Sequence, residues 1–168
     1  MAARCLATQN GFGEYIRIGD KMIKVNFKKL NPSAKIPTYG SEYAAGADLY
    51  AFTNGETVTF KPGDTKLIHT GIAMEIPEGY AGLIYARSGI ANKRGLAPSN
   101  KVGVVDSDYR GEIMVSLHNH SAEEQTISDF ERIAQMVITP FLKVEYTEVE
   151  NLSDTVRGEG GFGSTGKK

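Results

Sequence analysis

The chain has 168 residues, with 19 basic side chains against 20 acidic ones and a single cysteine, Cys5. That length fits one domain able to bury about two-thirds of its unfolded surface. The near-zero charge argues against a broad nucleic-acid-binding field, and one cysteine excludes an intramolecular disulfide and fits a reducing compartment. No apolar run approaches a membrane span and no signal-peptide hydrophobic region opens the chain, so the expectation is a cytoplasmic protein without membrane or nucleic-acid partners.

Residues 1–21 carry no clear periodicity and read as an N-terminal extension, with Met22 as an alternative start. From Met22 onward short β segments are punctuated by Gly, Pro, Asn and Asp. Val58 and Phe60 alternate with Thr57, Thr59 and Lys61; Ile72, Met74 and Ile76 with Ala73 and Glu75; Ile113, Val115 and Leu117 with Met114, Ser116 and His118; and Leu142, Val144 and Tyr146 with Phe141, Lys143 and Glu145. Each is the period-2 pattern of a strand with one face on a core. Pro62-Gly63-Asp64 and Pro77-Glu78-Gly79 read as turns. A strand over 80–86 leads into the one helical stretch, Ser88–Arg94. The predicted fold is therefore all-β, a jelly-roll-like distorted barrel over 22–150 with one short helix, followed by a mobile C-terminal arm over 151–168.

Several clusters could carry chemistry. Val104-Val105-Asp106-Ser107-Asp108-Tyr109-Arg110-Gly111 reads as a β-hairpin tip. Its aspartates serve either as Asx-turn residues or as carboxylates that bind a metal or activate water. Tyr109 at that turn offers a stacking surface. Asp48, inside a strand pattern, needs a cation or a donor. Arg87-Ser88-Gly89 opens the helix, where free N–H groups suit an anion, although a plain Ser N-cap accounts for Ser88 equally. His118 and His120 share one strand face, but no further ligand follows at metal spacing. Glu131-Arg132-Ile133-Ala134-Gln135 is uninformative alone.

The tail from Arg157 to Lys168 holds five glycines, two hydroxyl residues, one Arg and two Lys around Phe162. Glycine turns N–H groups inward, hydroxyls donate and cations neutralise, which suits phosphate oxygens. The same composition fits a Gly-rich chain end. A Walker A loop is rejected, because Lys168 stands where Ser or Thr is required and no strand–loop–helix context surrounds it.

In chain order, Ala45-Gly-Ala-Asp-Leu-Tyr50, Ala86-Arg-Ser-Gly-Ile90, Asn100 to Gly111, Glu131 to Gln135 and Arg157 to Gly166 resemble the five motifs of the trimeric dUTP pyrophosphatases (dUTPases). The resemblance covers about residues 22–166. It implies a homotrimer with active sites shared between subunits, hydrolysing dUTP to dUMP and pyrophosphate with Mg2+ on the triphosphate.

By that similarity, Asp106 activates the attacking water and holds the 3′-hydroxyl, and Tyr109 packs under the deoxyribose and excludes a 2′-hydroxyl. Asn100 and the backbone near Gly103, Val104, Val105 and Met114 meet the uracil edge. Arg87, Ser88 and Gly89 bind phosphate, with Gln135 contacting phosphate or water. Asp48 holds magnesium-bound waters indirectly. Arg157, Phe162, Gly163, Ser164 and Thr165 close over the substrate, Phe162 on the base. Phe130 departs from the pattern, standing where a glycine often precedes the fourth motif.

Three other readings compete. The homologous dCTP deaminase would need a Glu base that has no match here. A dUTP-binding regulatory protein would call for a surface insertion, and an OB-type single-strand binder for interleaved basic and aromatic residues.

Overall fold

The computed structural model describes residues 23–161, whose regular elements are eleven strands and one helix. Strands β1 (Asn26–Lys29), β2 (Thr38–Tyr39), β3 (Ala47–Tyr50), β4 (Val58–Phe60), β5 (Thr65–Glu75) and β6 (Tyr80–Tyr85) precede α1 (Ser88–Arg94). β7 (Leu96–Pro98), β8 (Gly103–Val105), β9 (Glu112–Asn119), β10 (Gln125–Ile127) and β11 (Arg132–Pro140) follow it. The strands form a four-stranded sheet ordered β1-β5-β9-β7, a five-stranded sheet ordered β2-β3-β11-β6-β8, and the pair β4-β10. Every pairing is antiparallel. The expected all-β, jelly-roll-like architecture is what the chain adopts. No described helix is long and apolar enough to cross a membrane.

The core follows from strand alternation. Along β9, Ile113, Val115 and Leu117 are buried while their neighbours are half-exposed. They meet Leu49, Phe60, Ile72, Leu96, Ile127 and Ile133, all fully buried. Asn119 continues the inward face as a polar residue, and its side chain is satisfied: Nδ2 donates to Phe60 O and Glu123 O, and Oδ1 accepts from Ser121 N. A buried amide of this kind is tolerated because each polar atom finds a partner.

Both predicted turns are present, with Gly63 at φ 82° and Gly79 at φ 83°, a region that glycine enters without a Cβ penalty. The helix spans the predicted residues. Its N-cap, however, is Arg87 in an extended conformation with no side-chain cap hydrogen bond, so Ser88 is the first helical residue and not the cap. Gly95, at φ 67°, closes the helix in the left-handed conformation.

Two expectations fail. β8 and β9 do not form a hairpin, because β8 pairs with β6 in the five-stranded sheet while β9 pairs with β5 and β7 in the other. The segment Asp106–Gly111 is thus a crossing between sheets, and two apolar runs joined by a short turn do not reveal that in sequence. Nor is there a strand over Leu142, Val144 and Tyr146. β11 ends at Pro140, and Leu142 and Tyr146 are 91% and 92% exposed. Alternation marks a face suited to burial, but a strand forms only where a neighbour takes its backbone groups.

Candidate active site

The crossing between the sheets builds one wall of a pocket of about 250 Å³. Asn100, Gly103, Val104, Val105, Asp106, Tyr109 and Met114 all line it, joined by Leu67, Ile84, Glu112 and Ile113. Gly103 is placed opposite Ile84 by the β6–β8 ladder. A Cβ on Gly103 would lie 3.3 Å from Ile84 Cβ and 3.4 Å from Asn100 Nδ2, so its missing side chain keeps the space beside that amide open. Asp106 is exposed and also lines an adjoining cleft of about 770 Å³, with Lys24, Glu75, Arg110 and Lys143 among its neighbours there. The catalytic candidate therefore stands at the junction of a small pocket and a wide polar cleft.

Tyr109 is held over the turn. Its N–H donates to Asp106 O at 3.2 Å and its hydroxyl to Glu112 O at 3.0 Å. Arg110 Nη1 ties the same turn by donating to Ser107 O at 2.7 Å.

A second cluster forms on the five-stranded sheet. Asp48 on β3 is 6% exposed. Arg87 Nε donates to its Oδ1 at 2.6 Å and Arg132 Nη1 to its Oδ2 at 3.1 Å. Gln135 lies opposite Asp48 in the β3–β11 register and opposite Tyr85 in the β6–β11 register. Its Nε2 donates to Ala86 O at 2.9 Å. Gly46 makes room for it, since a Cβ there would stand 2.7 Å from Gln135 Oε1. Asp48 and Gln135 on adjacent strands and Arg87 at the N-cap of α1, spread over almost ninety positions, are thus brought together. Two guanidinium groups against one carboxylate leave an excess of positive charge with donors to spare, which suits phosphate oxygens.

The two clusters are distinct in this chain. Asp106 and Glu112 are the charged residues of the small pocket, and its described wall holds no Lys or Arg. Arg157, in an exposed turn, donates from Nε to Gly160 O at 2.6 Å. Phe162, Gly163, Ser164 and Thr165 lie outside the described residues. Arg132 and Glu112 were missed in the sequence. Arg132 sat in view three positions before Gln135, but nothing in its local pattern announced a partner on β3.

Magnesium has a donor set to be tested. Among the described residues no three His, Cys, Asp or Glu side chains converge as a cage, and both oxygens of Asp48 are engaged by arginines. These residues do not fit a protein-built Mg2+ centre. An ion held chiefly by substrate phosphates and water needs no such cage. His118 and His120 meet edge to face, with ring centroids 4.3 Å apart and planes inclined at 62°. Slight desolvation, then His118 and Lys101, hold the His120 pKa below its ordinary value.

Known proteins resemble this chain in sequence and in fold. A family model described as dUTPase matches residues 32–166. The deoxyuridine 5′-triphosphate nucleotidohydrolase of Nautilia profundicola is 54% identical over 145 residues, covering 86% of this chain and 100% of that one. The corresponding protein of Hydrogenobaculum sp. is 49% identical over 146 residues, covering 87% and 100%. Among solved structures, a mutant dUTPase of Staphylococcus bacteriophage 80alpha with dUpNHpp matches at TM-score 0.74 and 30% identity, over 85% of this chain and 98% of that one. A mutant dUTPase of phage phi11, described for its coordination of a structural Mg(II) ion, matches at TM-score 0.68 and 26% identity, over 76% and 97%.

The chain belongs to the dUTPase family. As such it is an enzyme, a hydrolase of nucleotide metabolism that acts on a dUTP-like nucleotide.

Proposed function

We propose that the protein hydrolyses dUTP to dUMP and pyrophosphate, with water attacking the α-phosphorus and Asp106 as its general base. The observation that carries this reading is the convergence of Asn100, Gly103, Val104, Val105, Asp106, Tyr109 and Met114 on one pocket with Asp106 at its junction with a polar cleft. A pocket of that size takes a nucleoside, with Asn100 and the backbone of Gly103 and Met114 at the base edge and Tyr109 beneath the sugar. An exposed carboxylate next to it is placed to accept a proton from water, provided the phosphate charge is neutralised by other groups.

That neutralisation supports the second part of the proposal, a homotrimer with shared sites. The pocket wall is acidic, whereas Arg87, Ser88, Gly89 and Gln135 sit in the other cluster with Arg132. A triphosphate over the pocket needs cations that the wall itself lacks, and another subunit's Arg87 cluster supplies them. Unburied apolar surface points the same way. Leu142 and Tyr146 stand exposed, and an apolar groove of about 450 Å³ runs between Val25, Phe27, Tyr39, Met74 and Ile138.

Asp48 aligns the two arginines and reaches magnesium-bound water only through its neighbours. Mg2+ accompanies the triphosphate and lowers its charge. Arg157, Phe162, Gly163, Ser164 and Thr165 close over the substrate as an arm, and residues 22–150 form the catalytic domain.

The test is pyrophosphate release from dUTP, dTTP, dCTP and UTP with Mg2+. Turnover confined to dUTP is expected, and no turnover of dUTP would sink the proposal. Asp106→Asn should abolish turnover while retaining binding of a non-hydrolysable dUTP analogue. Loss of both would make Asp106 structural. Deletion of 157–168 should leave a folded protein with little activity.

A further inference from the structure

We propose that Glu112, clamped by His69 and Gly71, is a positioning residue that sets the Tyr109 ring, and that this clamp governs discrimination between deoxyribose and ribose substrates. The inference rests on reading the small pocket as a deoxyribonucleoside site.

Tyr109 lies in an irregular crossing and is 42% exposed, so burial alone does not fix its ring. Two main-chain features do. A Cβ on Gly111 would stand 2.6 Å from Tyr109 Cζ and 3.0 Å from Cε2, so the hydroxyl end of the ring packs against Gly111 and any side chain there would displace it. The Tyr109 hydroxyl then donates to the carbonyl oxygen of Glu112 at 3.0 Å. The ring position is therefore referred to the backbone of Gly111 and Glu112.

That backbone is fixed in turn by the Glu112 carboxylate. The β5–β9 ladder runs in register to His69 opposite Met114, then shifts and resumes with Ala73 opposite Glu112. Within the irregularity sits Gly71, buried and at φ 69°. Its N–H finds no strand carbonyl and donates instead to Glu112 Oε1 at 2.7 Å. The other oxygen, Oε2, meets His69 Nδ1 at 2.8 Å. The carboxylate thus replaces the missing acceptor of a β-bulge, and a buried N–H without it would be left unpaired. His69 is 59% exposed at its side chain, so it serves the carboxylate and not the core. The chain of contacts runs from His69 and Gly71 through Glu112 to Tyr109, and Glu112 and Tyr109 line the pocket.

The experiment uses the full chain and measures kcat and KM for dUTP and UTP, with thermal midpoints alongside. Glu112→Ala and Gly111→Ala are expected to raise the UTP-to-dUTP ratio of kcat/KM about tenfold, the worth of one well-placed contact. His69→Ala and Tyr109→Phe should raise it about threefold, since each removes a single hydrogen bond and loosens the ring without lifting it off Gly111. Glu112→Gln keeps an oxygen for Gly71 N–H and should restore most of the selectivity lost in Glu112→Ala.

An unchanged ratio in Glu112→Ala, or a Gln variant as unselective as the Ala variant, overturns the inference. If Glu112→Ala does not fold, the exposed His69→Ala and the conservative Tyr109→Phe decide, and unchanged ratios in both overturn it. A wild-type protein without dUTP turnover overturns the functional reading and this inference with it. Normal wild-type selectivity with unmoved variants overturns the inference alone.

Discussion

Arg87 Nε and Asp48 Oδ1 lie 2.6 Å apart, joining the N-cap of α1 to β3 across 39 positions of sequence. Asp48 is nearly buried, Arg87 is one-fifth exposed at its side chain, and Arg132 closes on the second oxygen from β11. One carboxylate therefore orients two guanidinium groups that would otherwise repel each other.

Replacing that carboxylate has two consequences. Asp48→Asn keeps the shape but leaves two cations sharing a neutral amide, and should cost about 1–2 kcal/mol of stability, discounted for the half-exposed Arg132. It should also lower kcat/KM for dUTP about tenfold or more, through misaligned guanidinium groups. Chemical denaturation and steady-state kinetics on the same preparation check both. Unchanged kinetics would confine Asp48 to a structural role.

Phe130 adopts φ 60°, a left-handed conformation that disfavours side chains. Two contacts offset the strain: the Lys35 ammonium lies 5.1 Å from its ring centroid and the Phe52 ring 6.3 Å away. Phe130→Ala loses these contacts without relieving the strain, whereas Phe130→Gly relieves it. The Gly variant should therefore be the more stable of the two by about 1 kcal/mol. Denaturant midpoints decide the order, and an Ala variant more stable than the Gly variant would contradict the account.

Leu142 and Tyr146 are almost fully exposed in the isolated chain. In the proposed trimer they are covered, so Leu142→Asp combined with Tyr146→Asp should weaken assembly and make specific activity fall on dilution. Sedimentation velocity measures the first effect and activity against protein concentration the second. A wild-type monomer that is fully active at all concentrations would refute shared sites.

His120 has its pKa lowered from 6.5 by slight desolvation, by His118 and by Lys101. With the folded value below the unfolded one, the unfolded chain takes up a proton first as pH falls. Stability is lost as pH drops through 6.5, and the loss is complete below the folded value. The exposed position keeps the effect small. Histidine NMR titration should place His120 below 6.5, and His118→Gln should move it upward.

The chain's pattern by itself determined the β character, both Pro-Gly-type turns, the extent of the helix, and the turn that carries Asp106 and Tyr109, while the remaining lining of the small pocket was expected only through the resemblance to the dUTPase motifs. These are short-range properties: alternation, backbone freedom at glycine, and a run of turn-forming residues between two apolar segments. Tertiary structure decided what pairing over distance controls. It placed β8 and β9 in different sheets, left Leu142–Tyr146 without a strand partner, and gave Asp48 two arginines where the sequence offered only an unpaired carboxylate. It also turned Glu112 into the acceptor for a bulge at Gly71. Register is the physical reason. Which strand faces which is settled by the burial of the whole core, and no local run of residues carries that information.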